Sequence, residues 1–435
     1  MREIAKLRRF VKTGSDGPVS HLVVSWVLMI PLICFASSGI LWPRAENDEL
    51  GATYGVLAGG HTYSADNIAI TLLLFAITPM LLFPRMKSII ELCREHIVFA
   101  VLAAWIMISV LWSQFPMVSL EWAPVAALNI AFAFYLYQRF SPDQQMRLLL
   151  LLGWLCLVLS VVASLFVPRY SVDYAGAWRG IYPQKNMCSM GTALLLLPAL
   201  YAPAKGSASK LFRVAYVCLS GFLIIMTQSV TGKITLACLF VYFVASKIAS
   251  HLRSEDRTIV LGLGTMIGVA FAGAGISNAK EISLLLGKDP TLTGRTEIWQ
   301  AMIPFVMRHP IVGYGYKAFW RGYVGESAHI SLATHWAVSS AHNGFLEIWL
   351  TLGAVGLALV VYSLLRAIRD AFVCLSAGKS PHVAWYASII FLTFLTSLDE
   401  GELVIPNSLM WILYVLACVG LSEEARRIRL GLDCG

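Results

Sequence analysis

Residues 148–167 read LLLLLGWLCLVLSVVASLFV. Twenty successive residues carry no charge, and at 1.5 Å per residue a helix of that length measures about 30 Å, the thickness of a bilayer's hydrocarbon core. Arg147 precedes the run and Arg169 follows it, so cations mark both ends. The same pattern recurs along the chain. Apolar runs able to cross a membrane lie at about 21–42, 66–84, 97–112, 118–138, 146–167, 187–203, 210–229, 233–250, 258–278, 344–365, 382–398 and 404–421. The composition agrees: 58% of the 435 residues are hydrophobic and 13% charged, against about 25% charged in soluble proteins. The expected fold is all-α, a polytopic membrane protein of about twelve transmembrane helices forming a single domain over 1–435.

The first run follows the basic stretch MREIAKLRRFVK, but its 22-residue apolar body is longer than a signal-peptide core, so it reads as a retained helix. With the N-terminus cytoplasmic, 22 of the 33 Lys and Arg fall in cytoplasmic segments, which places both termini in the cytoplasm by the positive-inside rule. The net charge of +8 then needs no nucleic acid, since basic loops beside anionic lipid account for it. Cys34, Cys156, Cys218, Cys238 and Cys418 lie inside runs as small apolar residues, and no CxxC pair suggests a disulfide framework or a redox motif.

The cations left outside are concentrated in two external segments, 168–186 and 279–343. These two segments hold nine of the eleven: Arg169, Arg179, Lys185, Lys280, Lys288, Arg295, Arg308, Lys317 and Arg321. The second segment is too rich in aromatic and branched residues to be disordered and is expected to fold onto the membrane surface. Within it, GRTEIWQAMIPFVMRHP sets Trp299, Met302, Ile303 and Val306 on one helical face, as in a helix lying at the interface. Tyr314, Tyr316, Phe319 and Trp320 follow as interfacial aromatics.

Three external motifs carry chemistry. WRGIYPQKN (178–186) packs Arg179 and Lys185 into a short loop, a pairing suited to phosphate oxygens or to snorkelling at the membrane rim. TGRTEIW places Arg295 in the first helical turn, where a cation opposes the helix dipole unless an anion joins it or an acid such as Glu297 or Asp289 pairs with it. SSAHNGFLEIW makes Asn343 the cap of a helix starting near Gly344, and so puts His342 at the external rim, either as a structural residue or as a base. His329, His335 and His342 are spaced by 6 and 7 residues, which matches no regular metal motif. The glycines of GLGTMIGVAFAGAG (262–275) lie inside an apolar run and suit close helix packing, and TGKIT (231–235) lacks the spacing of a P-loop. Glu121 and Glu347 fall near external span ends, and the acids Asp399, Glu400 and Glu402 read as a hydrated external turn. With the span centres almost free of charge, interfacial catalysis is favoured over conduction.

Taken together, LWSQFP (111–116), RGIYPQKN, GRTEIW, HPIVGYGYKAFW (309–320) and AHNGFLEIWLTLGAVGL (341–357) resemble the O-antigen ligase and polymerase superfamily of bacterial envelope glycosyltransferases, in its ExoQ-type exopolysaccharide polymerase branch. The resemblance implies a GT-C-like enzyme of the inner membrane. It would work at the periplasmic face on a polyprenyl-diphosphate-linked glycan, with no cofactor, metal or nucleotide sugar at the site. His342 would act as the base. Arg295 and Arg179 would hold the diphosphate, and Lys185, Asn186, Tyr314, Tyr316, Asn343 and Glu347 would contact diphosphate or glycan. The implied partners are the lipid-linked donor, a glycan acceptor, the bilayer, a chain-length regulator and export proteins. Where relatives show an SRG- or SRT-like turn this chain has TQSVTGKIT (227–235), which leaves Lys233 without an assigned role. A ligase acting on lipid A core is the alternative within the class, and a lipid-linked glycan flippase the alternative outside it.

Overall fold

A computed structural model describes residues 28–29, 31–36, 78–203, 206–277, 295–335, 337–377, 381–401 and 403–431. Most of the first and of the second expected span lies outside the described residues, as do the N-terminal basic stretch, Lys280, Lys288, Asp289 and Glu402. Each remaining apolar run coincides with a helix: α1 (Met86–Glu95), α2 (Ile97–Ile108), α3 (Pro116–Arg139), α4 (Pro142–Phe166), α5 (Lys185–Tyr201), α6 (Ser207–Met226), α7 (Val230–Ala249), α8 (Ser254–Ser277), α9 (Arg295–Arg308), α10 (Ser327–Thr334), α11 (Gly344–Ala377), α12 (Pro381–Ser397) and α13 (Leu409–Arg429). Of these, α1, α9 and α10 are additions in the connections, not expected spans. Apart from one isolated bridge, Val172 to Trp178, no strand is present among the described residues.

Local chemistry sets the boundaries. Ser141 and Gln144 form a reciprocal capping box ahead of α4, with Pro142 at its first position. Ser229 caps α7 by accepting from Gly232 N, and Ser408 caps α13 by accepting from Trp411 N. Five helices (α3, α4, α6, α7 and α11) are long and apolar enough to cross a membrane. The count reaches six if Thr78–Glu95 and Ile97–Trp112, bent by 98° at His96, form one broken span. Of the twelve expected spans, five or six meet that length and hydropathy among the described residues, and α12 is a shorter apolar helix.

The centre of the bundle is α13, buried from Leu409 to Leu421 on every side, as a helix apolar all round should be. Helices α3, α11 and α12 pack around it. Connections expected on the same side of a membrane meet in the structure. At one end His96 lies 3.3 Å from Glu423, Arg426 3.2 Å from Glu95, and Arg257 donates to Leu375 O. The other end gathers 112–115, 168–186, 227–229, 295–343 and 398–401.

The segment 295–343 folds onto this second end over its own apolar core of Ile298, Met302, Phe305, Val306, Tyr314, Phe319, Trp320, Ile330 and Val338, closed by Leu350 of α11. This corrects the expected surface of α9. Met302 and Val306 are buried inward, Trp299 is half-buried with its indole donating to Ala341 O at 2.8 Å, and Ile303 stays exposed.

Helix α11 is broken at Gly353, where φ is +69° and ψ −173°. The loop after α9 lies in the break. Tyr314 N and Gly315 N donate to Leu350 O and Thr351 O at 3.0 and 2.9 Å, while Ala354 N and Val355 N donate to Pro310 O and Ile311 O at 2.8 and 3.3 Å. Three indoles finish the pairing: Trp105 to Leu352 O, Trp112 to Val312 O and Trp349 to Pro310 O, at 2.9, 3.0 and 3.0 Å. Residues 344–352 are thereby a half-helix locked to the segment above it.

Candidate functional site

The half-helix begins with Asn343, whose Oδ1 accepts from Phe345 N and Leu346 N at 3.1 Å, the cap expected from the sequence. Its Nδ2 donates to Leu398 O at 3.2 Å, tying the start of α11 to the turn that ends α12. The two elements approach so closely that a Cβ on Gly344 would stand 3.1 Å from Ser397. His342 precedes the cap in the left-handed region, φ +47°, a strained setting for a residue with a Cβ. Its neighbours hold it there: Ala341 N donates to Glu347 Oε2 at 2.8 Å, and Trp320 Nε1 donates to the same oxygen at 2.8 Å.

The α12 turn brings Glu400 to this ring. His342 Nδ1 lies 3.0 Å from Glu400 Oε2. The other carboxylate oxygen, Oε1, accepts from Asn186 Nδ2 at 3.0 Å and from Arg295 Nη2 at 3.2 Å. Arg295 also pairs through Nη1 with Asp399 Oδ1, and Asp399 Oδ2 accepts from Thr231 Oγ1. Asn186 is set in turn by Ser229, whose hydroxyl donates to Asn186 Oδ1 at 2.9 Å. One cluster therefore draws on α5, α7, α9, α11 and the α12–α13 turn. It is partly open, with the side chains of His342 and Arg295 each 22% exposed, while Asp399 is buried.

Burial alone would raise the Glu400 carboxyl's pKa. The hydrogen bond from His342, the charges of His342 and Arg295 and the Asn186 amide outweigh it and hold the group below its ordinary 4.5, so it stays ionised. Burial lowers the Arg295 guanidinium, and the Glu400 charge offsets part of that.

The structure brings together His342, Arg295 and Asn186 of the residues expected from sequence, with Asn343 as the cap that places the histidine. Lys185, next to Asn186, forms an ion pair with Asp173 at 3.1 Å. Arg179 is buried within its own loop, where Nε and Nη1 donate to Tyr170 O and Pro183 O at 3.2 and 3.4 Å. Tyr314, Tyr316 and Glu347, expected to contact diphosphate or glycan, have their side-chain polar groups bonded within the protein. Both tyrosines are buried, with hydroxyls on Phe305 O and Val404 O, and Glu347 is buried beneath Ala341 and Trp320. Asp399 and Glu400, expected as hydrated acids, are the site's carboxylates, and Ser229 and Thr231 of TQSVTGKIT connect to them. Among the described residues, no group of three or more His, Cys, Asp or Glu is placed to hold a metal ion.

This is an all-helical molecule suited to a multi-pass membrane protein, with a His–Glu–Arg cluster at one end of its apolar helices. Residues 215–361, from within α6 to within α11, match the family described as O-antigen ligase. The chain is also 28% identical over 225 residues to the exopolysaccharide production protein ExoQ of Rhizobium meliloti (strain 1021), a match covering 44% of this chain and 51% of that relative. It thus spans about half the length of the curated relative. Both findings support the O-antigen ligase and polymerase superfamily, ExoQ-like, that the motifs resemble. Arg295 and His342 lie within the matched family region; Asn186, Asp399 and Glu400 lie outside it.

Proposed function

We propose that the protein is a membrane glycosyltransferase that polymerises polyprenyl-diphosphate-linked repeat units into exopolysaccharide at the periplasmic face of the inner membrane. The observation that carries this reading is the His342–Glu400 contact, buttressed by Arg295, at one end of an apolar bundle. A polyprenyl tail dissolves in hydrocarbon, so its diphosphate and first sugar rest at the interface beside this cluster. Both termini are then cytoplasmic.

An ionised Glu400 accepts from Nδ1–H of His342, which fixes the tautomer and puts the ring's lone pair on Nε2. Nε2 takes the proton of the acceptor sugar's hydroxyl. The hydroxyl oxygen forms a bond to the donor's anomeric carbon on the face opposite the diphosphate. The carbon–oxygen bond to phosphate breaks, its electron pair leaves on polyprenyl diphosphate, and the configuration inverts. Arg295 and Lys185, both partly exposed and held by carboxylates in this structure, exchange those partners for diphosphate oxygens as charge develops there. Arg179 acts at one remove, by fixing the loop that carries Lys185 and Asn186.

The deciding experiment incubates purified protein with its lipid-linked repeat unit. A ladder of lengthening glycans is the expected product. Attachment of an already polymerised chain to lipid A core would make the protein a ligase, and transbilayer movement without a new bond would make it a flippase. The name of the ExoQ relative favours the polymer. Activity is expected to survive chelators undiminished, and restoration of a chelated enzyme by zinc would overturn the metal-free mechanism. Arg295→Lys should cost at least about tenfold in kcat/KM, because a point charge cannot reproduce the forked, two-point contact that a guanidinium makes with diphosphate oxygens. Near-normal rates in that variant would leave Arg295 outside the chemistry.

A further inference from the structure

The outward face of α9 changes character along its length. Thr296 and Gln300 are exposed near its start; Ile303, Pro304 and Met307 are exposed towards its end, and Ile311 follows just past it. The three large apolar side chains are 38%, 54% and 64% exposed in that order. The same helix buries Ile298, Met302, Phe305 and Val306 on its inward face, so the exposed row is a second apolar surface and not the edge of the core.

Where this row lies relative to a membrane follows from what its end touches. Pro310 O and Ile311 O accept from Ala354 N and Val355 N inside the break of α11, one of the helices long and apolar enough to cross a membrane. Val312 O accepts from Trp112, which stands between Leu111, 84% exposed, and Met117, 76% exposed, at the junction of α2 and α3. Ile311 is therefore set beside the break of α11 and next to a stretch of the bundle, Leu111 to Met117, that presents bare apolar side chains outward. Such side chains face lipid in a membrane protein. The adjacent Arg308 is half-exposed, stacked over Phe305 at 4.7 Å and paired with Glu326, an arrangement in which an arginine can reach lipid phosphates.

The geometry points to an interaction surface for phospholipid: α9 dips into the adjoining leaflet through Ile303, Met307 and Ile311, with Arg308 at headgroup level and Thr296 and Gln300 left in water. Arg295, at the opposite end of the same helix, belongs to the cluster described above. A 14-residue helix, about 20 Å long, thus links that cluster to the lipid surface. This surface does not depend on the glycosyltransferase reading.

Full-length protein in nanodiscs of phosphatidylethanolamine and phosphatidylglycerol, carrying a benzophenone amino acid at Met307, Ile311 or Gln300, tests it. Irradiation is expected to give lipid adducts at Met307 and Ile311 at least fivefold above those at Gln300, as read by intact-protein mass spectrometry. A smaller diazirine-bearing aliphatic residue at the same positions gives the same readout if the bulkier probe disturbs folding. Equal lipid yields at all three positions, or no lipid adduct at Met307 and Ile311, would overturn the inference. Crosslinks to a second protein chain in place of lipid would also overturn it and identify the row as a contact between copies.

Discussion

Glycan transfer is expected to fall on the order of 10²–10⁴-fold in both His342→Ala and Glu400→Gln, with both variants inserting, folding and eluting as the parent does. For His342→Ala the loss is that of the base itself. The glutamine substitution is the sharper test because it keeps the side chain's size and nearly all its contacts. Glu400 Oε1 receives two donors, Asn186 Nδ2 and Arg295 Nη2. The amide oxygen of a glutamine must take that position, since an NH₂ there would face only donors. Its NH₂ then points at His342 Nδ1 and forces that nitrogen to accept. The ring proton moves to Nε2, the nitrogen that has to take the acceptor's proton. One atom's replacement thus leaves the histidine in place with its lone pair on the wrong side.

The same logic separates positioning from simple support. Glu400→Asp keeps the charge on a shorter arm and should recover part of the rate, which a merely structural contact would not require. The pH–rate profile should differ between the two variants. Parental turnover and an unchanged profile in Glu400→Gln would remove Glu400 from the mechanism.

How much of this was legible in sequence depends on the range of the interactions. Helix positions were, because an apolar run declares itself locally, and so was the Asn343 cap, which bonds to residues two and three positions on. The site's cations were found by their unfavourable topology, but not their partners. Glu400 reaches His342 across 58 residues and Asn186 across 214, and nothing near Asp399 and Glu400 distinguishes a paired acid from a hydrated one. The burial of Tyr314 and Tyr316 was not legible for a related reason: a tyrosine's amphipathic ring suits a membrane rim as well as a core with a carbonyl to receive its hydroxyl. The packed tyrosines and the buried Glu347 became distinguishable only when the loop after α9 was seen folded into α11.

That junction is the basis of the second large expected effect. Gly353→Ala should destabilise the protein by roughly 3 kcal/mol or more. The expected signs are a lowered unfolding midpoint in detergent and a shift from the monodisperse peak to aggregate on size-exclusion chromatography. In the sequence, LTLGAVGL reads as an unbroken apolar span. In the structure, Gly353 has φ +69° and ψ −173°, a region essentially confined to glycine, and a Cβ there would fall on the Ile311 carbonyl and Val312 N. Relieving that overlap means moving 310–312 out of the break, which unpairs Ala354 N and Val355 N from Pro310 O and Ile311 O. No water is at hand in an apolar span to replace those partners, so each group left bare adds its desolvation cost. The half-helix 344–352 carries Glu347 and is capped by Asn343, side chains that help hold His342 in its left-handed conformation, so turnover should fall together with stability. A Gly353→Ala protein with parental melting would show that the loop and the break part without cost, and the half-helix would then need another explanation for its fixed position.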